Sequence, residues 1–124
     1  MELIIRKCMS CGALVEALED CTHEGCGIVC CGKQMVKLEP NTEDASFEKH
    51  VPQYEVEGEH IIVTLNHPMD EDHYIEWIKL VNGDRECTEY LAPGMEPKAR
   101  FKYVPGSKLY AYCNKHNLWS NDVK

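Results

Sequence analysis

Six of the chain's eight cysteines fall between Cys8 and Cys31, a stretch too short to bury a core of its own. Units below about 40 residues generally depend on a metal ion or on cross-links. Such density means disulfides in a small secreted chain or metal ligation in an intracellular one. Cys8-Met9-Ser10-Cys11-Gly12 is a C-x2-C knuckle, whose tight turn points two thiolates at one ion and directs backbone N–H groups at sulfur. Cys30-Cys31-Gly32 supplies an adjacent pair downstream. Neighbouring cysteines do not readily bridge one another, so a metal accounts for Cys30-Cys31 better than a disulfide does. Cys8, Cys11, Cys30 and Cys31 thus offer soft ligands to a tetrahedral ion such as Zn(II) or Fe. Cys21 and Cys26 lie inside the same loop with His23 between them, and a set such as Cys8, Cys11, Cys21 and Cys26 also satisfies zinc-ribbon-like spacing. A module without any metal is the third alternative.

Charge and targeting narrow the setting. Thirteen Lys+Arg against 21 Asp+Glu give a formal net charge of -8, with no basic run, which argues against a nucleic-acid partner. Between Met1 and Lys7 only Leu3, Ile4 and Ile5 are consecutive apolar residues, too few for a signal-peptide core or a membrane span. The expected compartment is the reducing cytoplasm, where thiols stay available to metals.

Beyond the cysteines the chain changes character. The polar segment Glu39-Pro40-Asn41-Thr42-Glu43-Asp44-Ala45-Ser46 has the composition of a linker, which predicts a metal-stabilised domain over residues 1–36, a linker over 37–46 and a second domain over 47–124. In the first, short strands are expected around Leu3 to Arg6 and Leu14 to Leu18. In the second, β-branched and aromatic runs are separated by turn residues: Gln53 to Glu57, Ile61 to Asn66, Tyr74 to Val81, Glu86 to Leu91, Ala99 to Val104 and Lys108 to Cys113. Asn82-Gly83-Asp84 is a hairpin signal, and Pro105-Gly106-Ser107 turns the fifth run into the sixth. Tyr74 to Val81 has apolar groups on both faces and could be a helical fragment, but its length, Trp77 and the hairpin after it favour a strand. Six or seven short antiparallel strands predict a mainly β chain, with an immunoglobulin-like β-sandwich after the small metal domain.

This second domain carries His50, His60, His67, His73 and His116, with Cys113 three residues before the last. A lone loop histidine is ordinarily just solvated. Here four of them and a thiol stand at loop or strand-end positions, where a sandwich gathers residues from distant strands. Structural zinc closes at four ligands, whereas imidazole with a soft thiolate suits iron among other ions. Four equatorial nitrogens and one axial sulfur would leave a sixth position for a small oxygen species, with the thiolate pushing electron density towards it.

The run Glu48-Lys49-His50-Val51-Pro52, then His67-Pro68-Met69 with His73-Tyr74-Ile75-Glu76-Trp77, then Cys113-Asn114-Lys115-His116, resembles the superoxide reductase family. The added C-x2-C and Cys-Cys-Gly module is similar to that of its two-iron form, desulfoferrodoxin. The resemblance covers nearly the whole chain, in order. It implies a non-haem Fe(II) held by His50, His67, His73 and His116 equatorially with Cys113 axial, and a rubredoxin-like Fe on Cys8, Cys11, Cys30 and Cys31. It further implies one-electron reduction of superoxide to hydrogen peroxide, recharging by rubredoxin or a similar donor, an immunoglobulin-like catalytic domain and a homodimer.

Two further side chains gain roles through that resemblance. A substrate anion meeting a chain of charge -8 needs local positive charge, and Lys49 is the candidate. Glu48 offers a carboxylate to an oxidised, harder iron. The family commonly has Gly after the final ligand histidine, where this chain has Asn117, a residue that tolerates a left-handed backbone. His60 and Cys87 match no motif and are read as a surface histidine and a structural or incidental thiol. Two readings from other classes compete: a non-catalytic iron electron-transfer or storage protein, and a zinc-binding interaction module built on the N-terminal cysteines.

Overall fold

Side chains alternate along Lys98–Lys102: Ala99 and Phe101 are buried, while Lys98, Arg100 and Lys102 face solvent. A strand of this kind needs an apolar partner on one face only, and two stacked sheets supply it. A computed structural model of the chain describes residues 2–21 and 27–124. It divides into two compact units, Glu2–Glu39 and Pro40–Lys124.

In the small unit, β1 (Ile5–Lys7) pairs antiparallel with β2 (Leu14–Glu16) and with β5 (Val36–Lys37), and β3 (Val29–Cys30) pairs with β4 (Lys33–Gln34). Only the first two of these strands were legible as strands, because the others are two residues long. β5 straddles the expected boundary, with Val36 the last residue of the predicted first domain and Lys37 the first of the linker, and the compact unit runs on to Glu39. Leu3, Ile5, Cys8, Met35 and Leu38 are its buried apolar side chains. Asp20 ties its strands together, accepting from Arg6 at 2.5 Å with Lys37 at 3.7 Å. The Arg6 hydrogen bond holds the Asp20 carboxyl below the usual carboxylate range.

The larger unit opens with a single turn of helix, α1 (Phe47–His50), followed by β6 (Gln53–Glu57), β7 (His60–Thr64), β8 (Ile75–Asn82), β9 (Arg85–Tyr90), β10 (Lys98–Lys102), β11 (Lys108–Cys113) and β12 (Asn117–Asp122). One sheet has the order β10-β7-β6 and the other β12-β11-β8-β9. Every pairing is antiparallel, and the unit is the expected immunoglobulin-like β-sandwich. Between the sheets lies one core that includes Ile61, Val63, Ile78, Leu80, Leu109 and Ala111.

β8 resolves the ambiguity of its sequence. Ile78 and Leu80 enter the core, while Trp77 and Lys79 are buried on the other face. There Lys79 Nζ donates to Glu86 Oε1 at 2.6 Å and Thr88 Oγ1 at 2.8 Å and lies over the Trp77 ring, so its charge is compensated. The seventh strand of the unit's order, β12, was not among the named runs. Residues 41–43 of the expected linker are pinned to it: Asn41 N donates to Leu118 O at 3.0 Å, and Asn117 Nδ2 donates to Glu43 Oε1.

Candidate metal centres

The knuckle of the small unit closes as a turn, with Gly12 N donating to Cys8 O at 2.8 Å and Gly12 at φ +82°. In that turn the backbone N–H of Cys11 donates to Cys8 Sγ at 3.4 Å. Cys30 ends β3, and the two-residue loop to β4 is Cys31-Gly32, both at positive φ (55° and 74°). Positive φ at both central residues is the signature of a type I′ hairpin turn, here with cysteine in a place glycine or asparagine usually takes. The outcome is that Cys8, Cys11, Cys30 and Cys31 bring their sulfurs within 4.8 Å of one another. Cys11 Sγ is 3.6 Å from Cys30 Sγ, which is 3.9 Å from Cys31 Sγ, and all of these cysteines are free.

The electrostatics of this cluster suit a cation. The Cys11 N–H is the main reason the Cys8 thiol ionises at about 6. Cys30 is pushed up to about 12, chiefly by the sulfur of Cys8, and Cys31 is raised chiefly by that of Cys11. Four thiolates this close repel one another unless an ion sits among them, which is the requirement a soft tetrahedral metal meets. Cys21 is disulfide-bonded, which takes its thiol out of any alternative ligand set. His23 and Cys26 lie outside the described residues.

The second cluster is gathered at one end of the sandwich from three segments. His50 closes α1, His67 and His73 lie in the β7–β8 connection, Cys113 ends β11 and His116 lies in the β11–β12 turn. That turn has three residues between Cys113 and Asn117, which are register partners. Asn117 takes φ +61°, the left-handed conformation anticipated from its place after His116. Asn114, within the turn, fastens the neighbouring connection: its Oδ1 accepts from Tyr74 N at 2.9 Å and its Nδ2 donates to Asp72 O at 3.0 Å.

One ring nitrogen from each of His50, His67 and His73 and the Sγ of Cys113 all lie within 4.8 Å of one another. His116 joins them: its Nδ1 is 3.1 Å from His50 Nε2 and 3.8 Å from Cys113 Sγ. The imidazoles form a closed cycle of edge-on neighbours. Ring centroids are 4.7 Å apart for His50–His67, 4.7 Å for His67–His73, 5.1 Å for His73–His116 and 4.8 Å for His116–His50. Cys113 is fully buried, whereas all four histidines line a cavity of ≈ 270 Å³ together with Asp44, Ala45, Ser46, Lys49 and Pro68. The ring of imidazoles therefore stands between a buried thiol and an accessible cavity.

Backbone carbonyls set the tautomers. His50 Nδ1 is 2.6 Å from Ser46 O, and His67 Nδ1 is 2.6 Å from Pro68 O. A carbonyl only accepts, so both Nδ1 atoms carry the proton and both Nε2 atoms present a lone pair. Burial is the leading cause that lowers the pKa of His50, His67 and His73, His67 to about 4. These rings are neutral near pH 7, the state in which imidazole binds a metal. His73 Nε2 is buried with no hydrogen-bond partner, an orphan that a bound ion would satisfy. Two buried imidazoles, a half-buried third, an adjoining fourth and a buried thiol fit a transition metal.

Of the other residues singled out from sequence, Lys49 lines the cavity, while Glu48 is exposed and does not. His60 is half-buried, with Nδ1 3.3 Å from Arg100 Nη2, and Cys87 is exposed and free. Asp44, Ser46, Pro68 and Trp119 were not anticipated. Two of them act through backbone carbonyls, for which a sequence carries no residue-type signal.

The desulfoferrodoxin family model matches residues 42–122, the stretch that contains all five of these donors. A desulfoferrodoxin from Syntrophotalea carbinolica is 44% identical over 126 residues, covering 98% of this chain and 97% of its own length. A superoxide reductase from Pyrococcus abyssi is 35% identical over 113 residues, covering 73% of this chain and 98% of its own. The crystal structure of the superoxide reductase from Treponema pallidum superposes with a TM-score of 0.74 at 26% identity, covering 98% of this chain and 100% of that one. With the motifs in order, both clusters assembled and relatives matching end to end, the chain belongs to the desulfoferrodoxin family.

Proposed function

We propose that this chain is a superoxide reductase. On this reading His50, His67, His73, His116 and Cys113 hold a mononuclear iron where superoxide is reduced to hydrogen peroxide, and Cys8, Cys11, Cys30 and Cys31 hold a second iron for electron transfer. The observation that carries the reading is the closed ring of imidazoles with a buried thiol on one side and a cavity on the other. The similarity to proteins named superoxide reductase supports it.

An iron ion bound there supplies the electron, and a thiolate ligand increases its power to donate. Reduction takes one electron and two protons per superoxide and releases no dioxygen, so a donor of the rubredoxin type restores the electron. The chain's own residues do the rest. Ser46 O and Pro68 O hold the Nδ1 protons of His50 and His67 and so fix the direction of each Nε2. Lys49 places an ammonium at the cavity, where it draws a small anion against the field of a chain of net charge -8 and holds a proton at Nζ. Glu48, exposed on the same turn, is the second catalytic side chain of this reading, a carboxylate suited to the harder oxidised ion. A homodimer in the cytoplasm, built from a small iron domain, a linker and a catalytic sandwich, completes the proposal.

Metal analysis with an optical spectrum tests it. Two irons per chain are expected, with a thiolate-to-iron band that Cys113→Ser abolishes together with superoxide reduction in pulse radiolysis. Zinc alone, or a colourless protein at full metal occupancy, would refute it.

A further inference from the structure

Trp119 belongs to no ligand motif, yet it touches the site at three points. Its ring stacks on His50, with centroids 4.8 Å apart and planes inclined by 26°. Its Nε1 donates to the backbone carbonyl of His116 at 2.8 Å. Phe47, at the start of the turn that carries Glu48 and Lys49, meets it edge-on at 5.2 Å. Trp119 is fully buried but lies outside the main core cluster between the sheets, so its packing serves this end of the sandwich.

The contact to His116 answers a specific need. His50 and His67 are oriented by carbonyls that accept from Nδ1. His116 turns Nδ1 inward, towards His50 Nε2 and Cys113 Sγ, so that atom is not available as an anchor. The Trp119 hydrogen bond is made instead to its backbone, which holds the main chain that carries the ring. A single indole thereby fixes one imidazole by its face and another by its main chain, two donors separated by 66 positions.

We propose that Trp119 is a positioning residue for the metal centre, holding His50, His116 and the Phe47–His50 turn in the arrangement that receives the ion. This inference rests on the metal-site reading above. Outer-shell partners of this kind typically change metal affinity by about 10–100-fold when removed.

Co(II) titrated into the metal-free full-length chain tests it. The centre is followed by the part of the thiolate charge-transfer spectrum that Cys113→Ser abolishes. Trp119→Phe keeps a ring beside His50 and removes the N–H; it is expected to shift that band and weaken Co(II) binding several-fold. Trp119→Leu removes both contacts and should weaken binding by about tenfold or more. Circular dichroism identifies folded variants, and Trp119→Phe decides alone should Trp119→Leu not fold. Wild-type band position and affinity in a folded variant would overturn the inference, even with a lowered melting temperature, because packing alone would then explain the residue. Absence of any Cys113-dependent band in the wild-type chain would instead overturn the metal-site reading, and this inference with it.

Discussion

Cys113 Sγ lies 3.4 Å from His67 Nε2, and the Nδ1 of the same imidazole is 2.6 Å from Pro68 O. With its one proton held by the carbonyl, this ring gains a charge only by protonating Nε2 inside a buried cluster. Burial is accordingly the leading cause that lowers its pKa from 6.5 to about 4, and His50 and His73 move the same way for the same cause. In the unfolded chain these groups take up protons at the ordinary value; in the folded, metal-free chain they do so only at lower pH. The associated stability is therefore fully present above the unfolded pKa and is lost as pH falls through the folded one. His67 alone contributes roughly 3 kcal/mol over its full range. Urea denaturation of the metal-free protein between about pH 7 and pH 4 should show midpoints that fall with pH. A flat profile would mean that the imidazoles protonate freely in the folded state.

Lys49 supplies positive charge at the cavity of a chain whose net charge is -8. Lys49→Ala is expected to slow superoxide reduction by about 3–10-fold at low ionic strength and to flatten its salt dependence. Pulse radiolysis across a salt series should show the two rates converging as screening shortens the reach of the charge. Parallel salt curves for the two proteins would remove Lys49 from substrate capture.

Asn117 combines a left-handed backbone with a side-chain hydrogen bond to Glu43. Asn117→Gly retains the backbone and loses the bond, a cost of about 1 kcal/mol. Asn117→Val also places a β-branched residue at φ +61° and should cost about 2–3 kcal/mol. Chemical denaturation of the metal-free variants checks the order. Equal losses would show that the hydrogen bond, not the backbone, is what the position contributes.

On the proposed reading the small unit should depend on a bound metal far more than the sandwich does. Its apolar interior consists of a few side chains such as Leu3, Ile5 and Met35, whereas the larger unit has a continuous core. Chelation of the Cys8, Cys11, Cys30 and Cys31 centre should abolish amide-exchange protection across Glu2–Glu39 and leave β7, β8 and β11 protected. Retained protection in the small unit after complete metal removal would show that it holds its fold without the ion.

How much of this was legible depends on where the physical signal resides. β6 and β11 have the bounds read from sequence, because turn residues flank both and β6 also alternates. β8 was ambiguous for a reason visible in its packing: Trp77 and Lys79 are buried on one face while Ile78 and Leu80 are buried on the other, so no polar face advertises a strand. β12 escaped because the residues it buries, such as Leu118 and Trp119, follow directly on a turn that reads as ligand-bearing loop. The ligand candidates were legible by residue type, since few side chains bind metals and their spacing is distinctive. The groups that aim them were not. Ser46 and Pro68 act through carbonyls that any residue possesses, and Trp119 acts through a stacking partner that only the closed sandwich supplies.

Distance along the chain separates the two centres in one further respect. Cys8 and Cys11 are three positions apart and Cys30 and Cys31 are adjacent, each pair contained in one turn. His50 meets His116 across 66 positions, and Cys113 meets His67 across 46. Closing spans of that length is the slow part of forming a sandwich, whereas a turn forms at once. Each pair of sulfurs is thus set by a single turn and the two pairs meet across only 22 positions, whereas the imidazole ring is a property of the closed sandwich alone.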